Sequence, residues 1–301
     1  MREWCEYAAV WAILKFLGFL SRPVARAAAA TVARMLLWSL PRLRRTAMTN
    51  LRLAFPDWND AKRKSIVRRM TRSLGWMAAE FAHFPQLSRE NIERIVVLDG
   101  FENFDAARQR GTGVIFLTGH MSAWELAPFA QALYGHPLSF LARAIDNERV
   151  DRIVNRYRCL SGNRPIEKNN SARAMLRVLR EGGTVGVLAD QNTSVDEGVF
   201  VDFFGIAAAT TTGLVRMARH TDAAVVPGFL FWDDGMRKYR LRFEPAVSLR
   251  HTEDEAGDIR ENATRCNRVI EDYIRAHPEQ WLWVHKRWKN RPEGEPSLYS
   301  S

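Results

Sequence analysis

Hydrophobic and polar positions alternate along this chain with three rhythms. Two apolar blocks come first, YAAVWAILKFLGFL (7–20) and AAAATVARMLLWSL (27–40), separated by Arg22-Pro23. Each is 14 residues long and carries a cation inside it, whereas a bilayer-spanning helix needs about 20 predominantly apolar residues. AKRKSIVRRMTRSLGWMAAEFAHF (61–84) then shows a helical period. From there the rhythm shortens. IVVLDG (95–100), GVIFLTG (113–119), LSFLAR (138–143), GTVGVLAD (183–190), AAVVPGFLFW (223–232) and YRLRFEP (239–245) read as strands. Helical patterns at about 122–134, 147–160, 171–181, 210–220 and 257–276 separate most of them.

Two of the strands, 113–119 and 183–190, are near-continuous apolar runs, as expected when both faces of a parallel sheet are covered. The alternating run 239–245 suits an edge hairpin. The pattern predicts an α/β fold, helices flanking a mostly parallel central sheet, over residues 57–301. A helical segment, residues 1–56, precedes it. In such sheets reactive groups gather just beyond the carboxyl ends of strands. TGHMSAWE follows the strand 113–117 and ADQN follows 184–188.

Charge sharpens the N-terminal reading. From Tyr7 to Pro56 there is no Asp or Glu, while Lys15, Arg22, Arg26, Arg34, Arg42, Arg44, Arg45 and Arg52 all lie there. Most of the charge follows the first apolar block, opposite to a cleavable secretory signal. Such a helix pair fits a membrane interface, with apolar sides in the acyl layer and arginines at lipid phosphates. Ordinary amphipathic helices packed on the domain are the plainer alternative. Block 7–20 either dips into the bilayer or crosses it. If it crosses, the arginines from 22 onward keep the rest of the chain cytoplasmic.

Over the whole chain, 44 Lys+Arg against 34 Asp+Glu leave a formal charge of +10, which calls for an anionic partner. No zinc-finger, basic-zipper or RNA-binding aromatic pattern is present, so nucleic acid is not the partner expected. The three cysteines, Cys5, Cys159 and Cys266, are too far apart for a CxxC pair and suggest a reducing compartment.

The chemistry-bearing candidate is TGHMSAWE. Ser122 and Glu125 fit a capping box, which would account for the acid with no chemistry at all. His120 is not accounted for that way. On a regular helix it would point about 140° away from Glu125. From a loop above the first turn, however, its imidazole could fold back so that a carboxylate holds one ring N–H and leaves the other nitrogen as a base. There is no GxSxG elbow, no nucleotide-binding glycine loop and no zinc spacing, and the other six histidines are scattered. A lone His–acid pair suits deprotonation of a substrate hydroxyl, which then attacks an activated acyl group. No metal or cofactor is called for.

His120-x-x-x-x-Glu125 at a strand end resembles the HX4(D/E) motif of glycerolipid-type acyltransferases. More specifically, the chain resembles the lipid A late acyltransferase family, which includes lauroyl and myristoyl transferases and mannosyl-phosphoinositide acyltransferases. The likeness runs in order through RRTAMTNLRLAFP (44–56), LADQN (188–192), GVFVDFFG (198–205), TTTGLVRMARHTDAAVVPGF (210–229) and PEQWLWVHKRWK (278–289).

The resemblance implies a membrane-associated acyltransferase on the cytoplasmic face of the inner membrane. It would carry an acyl chain from acyl carrier protein or acyl-CoA to a hydroxyl of an anionic glycolipid such as a lipid A precursor. It implies His120 as the base and Glu125 as its orienting acid, with Asp190 and neighbouring Gln191 shaping the site. An arginine is also implied, for an acceptor phosphate or for Asp190. Arg158 is the choice for it, ahead of Arg143 and Arg156. FFG (203–205) would border an acyl channel or simply be core, and WLWVHKRW would seat at the interface or cap the domain. A non-catalytic membrane scaffold of the same fold and an acyl-thioesterase are the rival functions.

Overall fold

Prolines and short polar side chains set the joints of the N-terminal helices. The computed structural model describes residues 1–141, 144–166 and 171–299. It opens with α1 (Arg2–Phe19), α2 (Arg22–Ser39), α3 (Pro41–Ala54) and α4 (Asp60–Ala82). Pro23 and Pro41 stand in the first turns of α2 and α3, where a missing N–H leaves nothing unpaired. Asn59 caps α4 by accepting from the Lys62 N–H at 2.8 Å.

The helix α2 lies along α4, and the two backbones come close at Gly75. A Cβ there would stand 2.4 Å from the Ala30 Cα. Buried Glu80 on α4 ties the pair together, with Arg26 at 2.6 Å and Arg22 at 3.4 Å. None of the described helices is long and apolar enough to cross a membrane.

The body alternates strand and helix: β1 (Val96–Asp99), α5 (Phe101–Gln109), β2 (Val114–Thr118), α6 (Leu126–Leu133), β3 (Ser139–Phe140), α7 (Glu148–Cys159), β4 (Arg164–Pro165), α8 (Ser171–Arg180) and β5 (Thr184–Leu188). A hairpin of β6 (Gly198–Phe203) and β7 (Ile206–Thr211) follows, then α9 (Gly213–Thr221), β8 (Ala224–Asp233), β9 (Lys238–Phe243) and α10 (Glu255–Ala276). Seven strands form one sheet in the order β1-β9-β8-β2-β5-β3-β4, with only the β8–β9 pair antiparallel. This is the α/β architecture with a mostly parallel sheet that the strand–helix rhythm predicts.

The central strand β2 shows why the sheet is buried on both sides. Ile115 and Leu117 join one core with Val185, Val225, Ile270 and Trp281, while Val114 and Phe116 join the other with Phe104, Phe129 and Val226. Ala47, Leu51 and Ala54 of α3 belong to the first core, so that helix is packed into the domain.

Three expectations need correcting. The strand β9 is not an edge: it lies between β8 and β1. Its alternation arises because one side meets the core while Arg240 and Arg242 on the other pair with Asp99. The β6–β7 hairpin was not expected, and the helix foreseen from 210 starts only at Gly213. The hairpin turns at Phe204 and Gly205, both at positive φ (58° and 75°), with the Phe204 N–H held by Glu271 at 2.6 Å. Nothing in the side chain of Phe204 advertises that turn. Phe203 and Phe204 pack against Phe55, Trp281, Trp283 and Trp288 and are core. The segment 278–289 is likewise a packed cap. Its three tryptophans and Arg287 are buried, and the guanidinium bonds the Ala209 carbonyl and the Thr210 hydroxyl.

Candidate functional site

Two adjacent parallel strands deliver the site. Thr118 of β2 pairs with Leu188 of β5, and His120 and Asp190 each lie two residues beyond that pair. The Asp190 carboxylate accepts twice from one residue: the His120 backbone N–H reaches Oδ2 at 2.9 Å, and Nδ1 lies 2.8 Å from Oδ1. The Trp281 indole N–H donates to Oδ2 at 2.7 Å. Gly119 lets these loops close up, since a Cβ there would stand 3.2 Å from the Asp190 Cγ. A carboxylate can only accept, so Nδ1 carries the imidazole proton and Nε2 keeps its lone pair. The Gln191 amide nitrogen lies 3.3 Å from Nε2, and Trp124 packs against the ring at a centroid distance of 5.2 Å.

Burial and charge oppose each other here. Burial alone would raise the Asp190 carboxyl, but the His120 charge and the hydrogen bonds from His120 and Trp281 hold it down at about 2. Burial would lower His120. The Asp190 charge and hydrogen bond, with a smaller effect from Glu125, outweigh it and raise the imidazole above 6.5.

Glu125 is placed differently from the expectation. Its carboxylate is gripped by Arg158, with Nε to Oε2 at 2.8 Å and Nη2 to Oε1 at 2.5 Å. Arg158 comes from the last turn of α7, steadied by Asn155. Thus Asp190 is the hydrogen-bonded partner of the His120 ring, Glu125 acts on it only through its field, and Arg158 meets Glu125 instead of Asp190.

The capping box does not form either. Ser122 has φ 52°, its side chain caps nothing, and α6 begins only at Leu126. The cause is the C-terminal cap. The Ser122 N–H donates to the Gln280 carbonyl at 2.6 Å, the Leu282 N–H donates to the His120 carbonyl at 3.1 Å, and Met121 bridges Trp281. Arg156 is exposed, and Arg143 lies outside the described residues.

Two site residues were not singled out from sequence. Trp281 buttresses Asp190, and the His285 Nε2 accepts the Asn192 N–H at 3.0 Å, with burial pushing its pKa down and so favouring the neutral ring. The only available sign was an indole N–H in an otherwise apolar run, which must find an acceptor once buried. Chemically, the arrangement is an oriented imidazole with one basic nitrogen, able to take a proton from a hydroxyl.

The chain matches, over residues 1–290, the family model described as "Bacterial lipid A biosynthesis acyltransferase". It is 30% identical over 263 residues to the lipid A biosynthesis palmitoleoyltransferase of Escherichia coli, covering 86% of this chain and 83% of that protein. It is 26% identical over 297 residues to the lauroyltransferase of the same organism, covering 98% and 94%. A lipid A biosynthesis acyltransferase of Haemophilus influenzae is 25% identical over 293 residues, covering 96% and 90%. Among solved structures, the 1-acyl-sn-glycerophosphate acyltransferase PlsC of Thermotoga maritima aligns with a TM-score of 0.40 at 17% identity, over 87% of this chain and 99% of that one.

Proposed function

Because the chain belongs to the bacterial lipid A biosynthesis acyltransferase family and is an acyltransferase, we propose that it moves a fatty acyl chain from an acyl thioester to a hydroxyl of a lipid A-type glycolipid, with His120 as general base. The donor is acyl carrier protein or CoA. The observation that carries this reading is the 2.8 Å pairing of Nδ1 with Asp190, which leaves Nε2 basic. In the reaction the acceptor hydroxyl displaces the Gln191 amide from Nε2. Its proton passes to Nε2 as its oxygen attacks the thioester carbonyl. The tetrahedral adduct then expels the thiolate, which takes the proton back from the imidazolium. Asp190 stays ionised throughout and stabilises that imidazolium.

The enzyme sits peripherally on the cytoplasmic face of the inner membrane. Trp11, Phe16, Phe19 and Trp38 of α1 and α2 are exposed, which suits an interfacial seat beside the arginines of the same helices.

Purified protein given acyl carrier protein or CoA thioesters and a lipid A precursor is expected to yield an acylated lipid by mass spectrometry. His120→Ala transferring as fast as wild type would overturn the mechanism. Free fatty acid released faster than lipid is acylated would make the protein a thioesterase instead.

A further inference from the structure

A cleft of about 1890 Å³ opens among α2, α3 and α4, with Trp232, Val284 and Lys286 contributing another wall. Nine arginines and two lysines line it, against a single carboxylate, Asp60. Among the described residues, only two of those cations have a carboxylate partner, Arg26 with Glu80 and Arg52 with Asp60. Arg34, Arg44, Arg45, Arg68, Arg72 and Lys286 are exposed. So many like charges in one cleft repel each other, and a polyanion is the natural neutralising occupant. The excess of arginine over lysine favours phosphate, whose oxygens match the guanidinium fork.

Apolar side chains decide between an anionic lipid and an acidic protein. Leu37, Trp38, Leu43 and Met48 line the same cleft, and Met35, Leu36 and Leu40 stand exposed around the α2–α3 joint. A partner with acyl chains beside its phosphates satisfies both sets, whereas an acidic protein surface would leave the apolar set against carboxylates or water.

The cleft also shares a wall with the catalytic site. Val284 and Lys286 face the cleft, while Trp281 and His285 of the same turn-rich segment bond Asp190 and the Asn192 backbone. Asn50 of α3 clamps the segment through the Trp283 and His285 carbonyls, at 2.7 and 2.6 Å.

We propose that this cleft is a phosphate-binding site that holds the head group of an anionic lipid, and that the lipid it holds is the acyl acceptor, the second clause resting on the function proposed above. The test uses the full chain with phosphatidylcholine vesicles, with or without phosphatidic acid. Wild type is expected to prefer the phosphatidic acid vesicles, and the triple variant R44Q/R45Q/R68Q to lose roughly a hundredfold in affinity for them. The charge-keeping R44K/R45K/R68K is expected to recover most of that loss, which separates charge from misfolding. His120→Ala is expected to bind as wild type does. In the transfer assay the Gln triple is expected to raise KM for a phosphorylated acceptor far more than it lowers kcat.

A Gln triple that binds the anionic vesicles as tightly as wild type overturns the site. So does one that keeps the vesicles but loses acyl carrier protein, since the occupant is then an acidic protein. Charge-dependent vesicle binding by a wild type that transfers no acyl chain upholds the site and fails the functional reading alone.

Discussion

Nδ1 of His120 stands 2.8 Å from Oδ1 of Asp190, although 70 residues separate the two in the chain. Sheet register closes that gap. The strands β2 and β5 are paired to their last residues, and two residues beyond each end stand His120 and Asp190. Deep burial of Asp190 with three donors on its two oxygens makes the pair rigid and leaves the imidazole with a fixed tautomer.

In its proposed role of general base His120 must be neutral, and its pKa is raised from the ordinary imidazole value: burial lowers it, but attraction to Asp190 prevails. The logarithm of kcat/KM is therefore expected to climb with pH through that raised value and then level off. In Asp190→Asn the attraction is gone and the burial remains, so the limb should move to lower pH. The rate should fall on the order of 10³–10⁴-fold as the tautomer is lost. A pH-rate profile that keeps its limb in Asp190→Asn would show that the pairing does not govern the base.

Trp281→Phe keeps a large ring and removes one donor from Asp190. The carboxylate becomes more basic and pulls harder on the imidazole proton, so the limb is expected to move to higher pH, opposite to Asp190→Asn. A hydrogen bond to a charged group is worth about 1.5–3 kcal/mol, so kcat should fall by roughly tenfold or more with KM little changed. A variant that melts earlier but keeps the wild-type limb would reduce Trp281 to packing alone.

Glu125 and Arg158 form a forked ion pair of two hydrogen bonds and are expected to behave as one unit. Glu125→Gln and Arg158→Met should each slow transfer, and the double variant should be scarcely slower than the worse single one. The coupling energy is expected at about 1–3 kcal/mol. Additive losses measured in kcat/KM would mean that the two act on the reaction separately.

His120 was legible as a candidate because a histidine near an acid at a strand end can carry chemistry, although the acid that pairs with its ring is Asp190 and not Glu125. The role of Asp190 was only partly so: a polar cluster beyond a second strand is visible in ADQN, but strand register, which sequence does not display, decides that it meets His120. The capping box misled for a related reason. Ser122 has the right type and spacing to cap a helix, yet its backbone conformation is set by the carbonyl of Gln280, 158 residues downstream. The apolar rhythm made β2, β5 and β8 plain. The β6–β7 hairpin escaped because its turn rests on Phe204 at positive φ, a position where glycine or asparagine would have signalled it.

Gly75→Ala sets two effects of opposite sign against each other. In an exposed helix the change would stabilise by up to about 1 kcal/mol. Here the new Cβ would meet the Ala30 backbone at 2.4 Å, and no rotamer can relieve a contact with backbone. Separating α2 from α4 is expected to win, costing about 1–3 kcal/mol as a lowered urea midpoint. A raised midpoint would mean that the two helices do not cross this closely. Arg34 of α2 and Arg68 and Arg72 of α4 line one cleft, so the crossing sets their spacing. The same variant should therefore weaken anionic vesicle binding. It should leave the pH limb of His120 in place, because that limb is set by the pairing of His120 with Asp190 just beyond the ends of β2 and β5.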